Sequence, residues 1–243
     1  MAYLMRLDKF LSHLKIGTRK EIKLLVRSGR VRVNEAVVRD SAVKVRPGND
    51  RISLDGQGLI YQEYIYLMMN KPGGYLSATK DYYEKTVLDL LPSTWRRWDL
   101  FPIGRLDKDT EGLLLLSNDG QLAHRLLAPK SQVGKTYFVQ INGSISLEEL
   151  ELLQTGVVLD DGYRTKPAIA RILRTGDISH VELVIYEGKF HQVKRMFAAV
   201  GKKVLYLKRT AMGDLKLDSS LEPGEVRELT EAEVAILKSF EGL

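Results

Sequence analysis

The 243-residue chain contains no cysteine, which removes disulfide frameworks, thiolate metal sites and thiol nucleophiles together. Long hydrophobic runs are missing too. The stretch from Ile65 to Met69 is among the longest, far short of the roughly 18 residues a membrane helix needs. The amino terminus has no apolar segment behind a charged start, so no secretory signal is expected and the cytoplasm is the expected compartment. Four histidines, His13, His124, His180 and His191, lack the spacing of metal ligands, and no metal is expected. The G-x-x-x-x-G-K-[ST] phosphate loop, the G-x-G-x-x-G turn of dinucleotide sites, H-E-x-x-H and G-x-S-x-G are all absent. What is present is enough for a core: 44% of residues are hydrophobic, which argues against disorder.

Charge is present but unevenly placed. The net value is +6. Residues 1–60 hold 13 Lys/Arg against 6 Asp/Glu, a surplus of 7, while the remainder holds 24 against 25. The basic excess thus belongs to one quarter of the chain, as in an electrostatic docking module on a near-neutral body.

Within that module, Leu7, Phe10, Leu11 and Leu14 recur at helical spacing and Gly17 ends the first helix. Thr18-Arg19-Lys20-Glu21 is a capping box for a second helix. Ile22, Leu25 and Val26 face its core, and Lys20, Lys23 and Arg27 share another face. Arg30-Val31-Arg32-Val33 then alternates with period two, which places both arginines on the open face of a strand. A basic helix face and a basic strand face so close together favour phosphate-backbone binding over a merely solvated surface. Met5-Arg6-Leu7-Asp8-Lys9-Phe10-Leu11, Thr18-Arg19 and Val26 to Asn34 resemble the small RNA-binding αL domain first described in ribosomal protein S-four. The resemblance implies RNA contacts from Arg6, Lys9, Arg19, Lys20, Lys23, Arg27, Arg30 and Arg32.

A glycine-rich break at Asp55-Gly56-Gln57-Gly58 and a shift of composition place a domain boundary near residue 60, giving domains 1–60 and 61–243. Strand-like runs dominate the second: 64–69, 113–116, 136–141, 168–173, 181–186, 203–207 and 215–217. Ser146 to Glu149 and Thr230 to Glu233 are capping boxes, Gln192–Val200 ends at Gly201, and Gly120–Ala128 ends at Pro129. Strands punctuated by helices without strict alternation predict an α+β fold with a mainly antiparallel sheet behind a small α/β RNA-binding domain.

Three stretches of this domain have unusual composition. Asn70-Lys71-Pro72-Gly73 follows a strand and reads equally as a turn. Gly104-Arg105-Leu106-Asp107-Lys108-Asp109-Thr110-Glu111-Gly112 packs charge between Pro102 and an apolar strand, and by itself reads equally as a solvated loop. From Lys189 to Arg209 lie seven basic residues and no acidic one. Together with Lys135-Thr136-Tyr137 and Glu187-Gly188-Lys189-Phe190-His191-Gln192-Val193-Lys194-Arg195-Met196-Phe197, these motifs resemble the ribosomal small-subunit pseudouridine synthase A family. That family carries the same αL module in front.

The resemblance implies an isomerase that detaches a uracil within RNA and rejoins it to the same ribose through carbon 5, without a cofactor. Asp107 is then the catalytic aspartate, acting by attack on the sugar or by removing a sugar proton. Tyr137 would stack on the base, and Lys194, or Arg195, would pair with Asp107. Arg105 would fill the gap left by the extruded base, and Lys189, His191, Gln192 and Arg195 would hold RNA. The HQVKRMF sequence and the chain's end at Leu243 favour 16S rRNA or a small-subunit assembly particle as substrate. The alternatives are 23S rRNA and a non-catalytic RNA-binding or ribosome-assembly protein. With no clear oligomer interface, a monomer is expected.

Overall fold

In the computed structural model, residues 4–128 and 130–240 are described; Pro129, the expected helix stop, lies outside them. The chain divides into two compact units, Met1–Tyr64 and Ile65–Leu243.

The first unit contains β1 (Met5–Arg6), α1 (Leu7–His13), α2 (Arg19–Arg27), β2 (Val31–Val33), β3 (Ala36–Val37), β4 (Lys44–Val45), β5 (Ile52–Leu54) and β6 (Gln57–Leu59). Its small core is built from Leu7, Phe10, Leu11, Ile22, Val26, Val31, Val45 and Ile52, all nearly inaccessible. The Thr18 side chain accepts from the Glu21 amide and Glu21 reaches back to Thr18, so the capping box closes as its spacing demands. Strands pair antiparallel in the order β3-β2-β5-β6. The Asp55-Gly56 pair is a two-residue hairpin turn, both residues at positive φ, that joins β5 to β6. This corrects its reading as an interdomain break: Asp-Gly supplies the left-handed conformations that such a turn requires.

The second unit is organised on a nine-stranded sheet. In chain order it has β7 (Tyr66–Lys71), a 3-10 turn at Val87–Leu90, α3 (Ser93–Arg96), β8 (Phe101–Ile103), β9 (Glu111–Ser117), α4 (Gly120–Leu127), β10 (Lys135–Asn142), α5 (Leu147–Thr155), β11 (Ile169–Arg174), β12 (Ile178–Ile185), α6 (Gln192–Ala199), β13 (Val204–Met212), β14 (Leu215–Lys216), β15 (Val226–Glu228) and α7 (Glu231–Ser239). The main strand order is β11-β12-β10-β13-β9-β7-β15, with β14 on β13 and β8 on β9. Neighbours are antiparallel except β13 and β9. Alternation sends Tyr137, Val139 and Ile141 of β10 inward, whereas β7 and the leucines of β9 are buried on both faces. Tyr66, Met68, Leu113, Leu115, Leu122, Leu126 and Leu237 form one core cluster, which α4 and α7 help to cover.

Two differences from the expected elements have physical causes. Strand β13 runs on to Met212, past Lys208 and Arg209, because Arg209 is buried and continues the inward face of Leu207 and Ala211. Short strands β8 and β15 add to the sheet although Pro102 and the charged Arg227 and Glu228 hid them from the apolar pattern.

Arg227 binds both Asp218 and Glu233, at 2.6 and 2.7 Å, and so ties β15 to the first turn of α7. Arg227 holds the Glu233 carboxyl down at about 2, and the Ser220 hydroxyl and amide, with Arg227, do the same for Asp218. Both native values lie below the unfolded ones, so this stabilisation is complete above about pH 5 and is lost as the pH falls toward 2. Acid denaturation followed by circular dichroism should show that decline, and Glu233→Gln should flatten it; an unchanged profile in the variant would show that the network contributes nothing to acid stability.

Candidate functional site

The loop Gly104–Thr110 connects β8 to β9 at a place where the sheet changes partner. Along one edge of β9, residues 115–117 pair with β8, whereas Glu111 and Gly112 pair with β13. The loop leaves between them. Gly112 has φ of 98°, and a Cβ built there would collide with the backbone oxygen of Arg209, so the approach of β13 to β9 requires glycine.

Three anchors hold the loop by its main chain. Ser77 Oγ donates to Leu106 O at 2.9 Å and accepts from Leu106 N at 3.1 Å. Gly74 N donates to Lys108 O at 2.7 Å. Lys71 is fully buried, and its Nζ donates to the carbonyls of Pro72, Lys108 and Thr110 at 3.0, 3.1 and 2.8 Å. Burial pushes its pKa down to about 8, although Asp109, Glu111 and Asp107 pull the other way. The Asn70-Lys71-Pro72-Gly73 motif is therefore the support of the Asp107 loop, a role its turn-like composition did not disclose.

Asp107 keeps a partly open carboxylate, with 27% of its side chain exposed. Lys194 Nζ stands 3.4 Å from Oδ2 and His191 Nε2 3.8 Å from Oδ1. Lys194 also meets Asp109 Oδ1 at 2.5 Å and holds that carboxyl below its usual range. Both side chains come from the start of α6, whose N-cap His191 adopts a left-handed conformation, φ 50°. Phe190, largely exposed, stacks on His191 with ring centroids 3.8 Å apart.

Below Asp107 opens a cavity of about 490 Å³ lined by Lys135, Tyr137, Tyr186, Leu207 and Arg209 among others, a size suited to a small planar ligand. Tyr137 is 7% exposed and projects from β10 beside Arg209, its register partner on β13. Burial raises its pKa, against the pull of the Arg209 guanidinium. Arg105 is exposed and Lys189 lies along the same cavity.

Some expected contacts are corrected. Arg195 is held by Asp160 and Asp161, not Asp107, because one step along α6 from Lys194 turns it toward that acidic loop. Gln192 is 4% exposed and binds Lys189 N and Glu187 Oε1, so it folds the turn instead of presenting an amide to RNA. Arg209 is 2% exposed and Lys202 pairs with Glu149 at 3.0 Å, so the basic residues from 189 to 209 do not make one phosphate-binding patch. Glu187 and Tyr163, joined by a 2.6 Å hydrogen bond, complete the cavity wall. Their partnership spans 24 residues and left no local pattern to read.

On the first unit, Lys9, Arg19, Lys20, Lys23, Arg27, Arg30 and Arg32 are exposed. Arg6 pairs with Asp8 at 2.6 Å and Arg30 grips Asp55 through two bonds, while Arg32 donates to Glu35 O. Of these expected contacts, Arg19, Lys20, Lys23 and Arg27 stand together on α2. Among the described residues no group of three or more His, Cys, Asp or Glu side chains could hold a metal ion, and no helix is long and apolar enough to cross a membrane.

Known proteins share both parts. Residues 65–199 match the family model for RNA pseudouridylate synthase, and residues 5–52 match that for the S4 domain. An uncharacterised RNA pseudouridine synthase of Bacillus subtilis, YtzG, is 52% identical over 96% of this chain and 98% of its own length. Ribosomal small subunit pseudouridine synthase A of Escherichia coli is 41% identical over 95% and 99%. Ribosomal large subunit pseudouridine synthase B of Bacillus subtilis is 39% identical over 97% and 96%.

Proposed function

The chain belongs to the RNA pseudouridylate synthase family, and on that premise we propose that it converts one uridine of 16S rRNA to pseudouridine, as a cytoplasmic monomer, with Asp107 as the catalytic residue. The observation that carries the site is the placement of the Asp107 carboxylate, between Lys194 and His191, above the cavity that Tyr137 lines. The reaction is redox-neutral and consumes no water. It needs a carboxylate held ionised and aimed, and a dry slot for a base.

An extruded uridine places its ring in the cavity and its ribose beneath Asp107, at an unstacking cost of a few kcal/mol. Lys194, 3.4 Å away, orients the Asp107 carboxylate. Tyr137 supplies an aromatic surface for the ring, and Arg105 at the mouth fills the vacated stack. The small-subunit target is favoured by the HQVKRMF segment with lysine at 194; similarity alone divides almost evenly between a small-subunit and a large-subunit relative.

Mapping pseudouridine in 16S and 23S rRNA of a strain lacking this gene tests the target. Loss of one site from 16S is expected; loss confined to 23S overturns the small-subunit assignment, and no loss overturns rRNA as the substrate. A second expectation concerns docking. Replacing Lys20, Lys23 and Arg27 together by glutamine should reduce the slope of log affinity against log salt by about 2 to 3, at roughly 0.7–0.9 for each phosphate no longer neutralised. A slope equal to that of the parent would move the RNA-docking face off α2.

A further inference from the structure

Arg209 is a charged residue buried at 2% exposure. Its Nε donates to Leu113 O at 2.8 Å, which fixes the side chain between β13 and β9. Its Nη2, also buried, has no hydrogen-bond partner among the described residues. A guanidinium nitrogen left in this condition is costly unless something else accepts from it. Arg209 lines the same cavity as Asp107, and so does Lys135 at the head of β10. Burial and the Arg209 charge push the Lys135 pKa down to about 8, and Lys135 Nζ has only a long, 3.4 Å contact to Val133 O. Glu187 on the cavity wall already accepts from Tyr163, Lys166 and Gln192. The cavity is therefore lined by two cationic side chains, Arg209 and Lys135.

A neutral uracil makes little use of such a wall, but the reaction does not keep uracil neutral. When the glycosidic bond breaks, its electron pair leaves with the ring, and the negative charge spreads over the ring nitrogens and both carbonyl oxygens. This holds whether an Asp107 oxygen bonds to the anomeric carbon or Asp107 takes a proton from the neighbouring sugar carbon. The charge is used up when carbon 5 bonds to the anomeric carbon, the carboxylate departs or returns its proton, and the proton on carbon 5 is lost.

We propose that Arg209 is a further catalytic residue, whose guanidinium meets a carbonyl oxygen of the departing uracil and stabilises the uracil anion, with Lys135 adding to the field. This rests on the isomerase reading of the site. A donor fixed in advance where charge develops is the arrangement that lowers a barrier most.

The test uses full-length protein in excess over rRNA isolated from a strain lacking the gene. Arg209→Gln and Arg209→Lys should slow conversion by about 10²–10³-fold with RNA affinity within about twofold of the parent. The same rRNA from cells grown on 5-fluorouracil carries a ring whose fluorine stabilises the departing anion. On that substrate the loss should shrink at least about tenfold, read as disappearance of 5-fluorouridine at the target site. Equal losses on both RNAs, which a purely structural role gives, or wild-type rates in either variant overturn the proposal. Where thermal melting shows that the glutamine variant does not fold, Arg209→Lys, which keeps a donor for Leu113 O, and Lys135→Met decide by the same ratio. An Asp107→Asn variant that still converts the RNA would overturn the isomerase reading of this site instead.

Discussion

Asp107→Asn is expected to lose pseudouridine formation by more than about 10³-fold while RNA affinity stays close to that of the parent. The substitution preserves shape, and the loop does not depend on the carboxylate for its position. Ser77, Gly74 and Lys71 hold the main chain at residues 106, 108 and 110. What the amide removes is the charge and the nucleophilic or basic oxygen, and Lys194 retains Asp109 as its partner at 2.5 Å. Affinity should change little because the exposed cations of α2 lie in the other unit of the chain. The measurement is tritium release from uridine labelled at carbon 5, with filter binding on the same RNA. Undiminished release would sink the catalytic assignment, and parallel loss of binding would make Asp107 a docking residue.

Gly112→Ala should be the most damaging single change outside the carboxylate. At φ 98° an L-residue is strained by about 1–2 kcal/mol. The added carbon also meets the Arg209 backbone oxygen and nitrogen and the Lys208 side chain, none of which has room to retreat without parting β13 from β9. With about 1–3 kcal/mol for overpacking, the total is about 3 kcal/mol, which for a unit of this size lowers Tm by roughly 10 °C. Activity should fall further than stability alone explains, because the same junction sets the distance from the Asp107 loop to Arg209. A melting curve unchanged from the parent would show that the strands separate easily.

The legible parts of the molecule were those whose signal is local. Capping boxes at Thr18, Ser146 and Thr230 close as their spacing requires, since a cap involves residues only three apart. The strand containing Tyr137 follows from alternation, since successive side chains of a strand face opposite ways. By contrast, Asp55-Gly56 looked like a linker and is a hairpin, because composition cannot tell a turn within a sheet from a break between units. Arg195 and Lys194 are adjacent and equally basic, yet only one reaches Asp107; a helix turns about 100° per residue, so the choice is made by how α6 is set against the loop.

By itself the sequence determined the electrostatic division of the chain and the local elements, and its resemblance pointed to the chemistry: a basic front module, an aspartate-dependent isomerase and no thiol catalysis. Only the tertiary structure decided which charges act. It buried Lys71 as the brace of the Asp107 loop, neutralised Arg195 on Asp160 and Asp161, and drove Arg209 inside with one nitrogen unpartnered among the described residues. The reason is physical. A formal charge is a property of a residue, but its field and availability depend on burial and on partners brought from distant positions by the sheet.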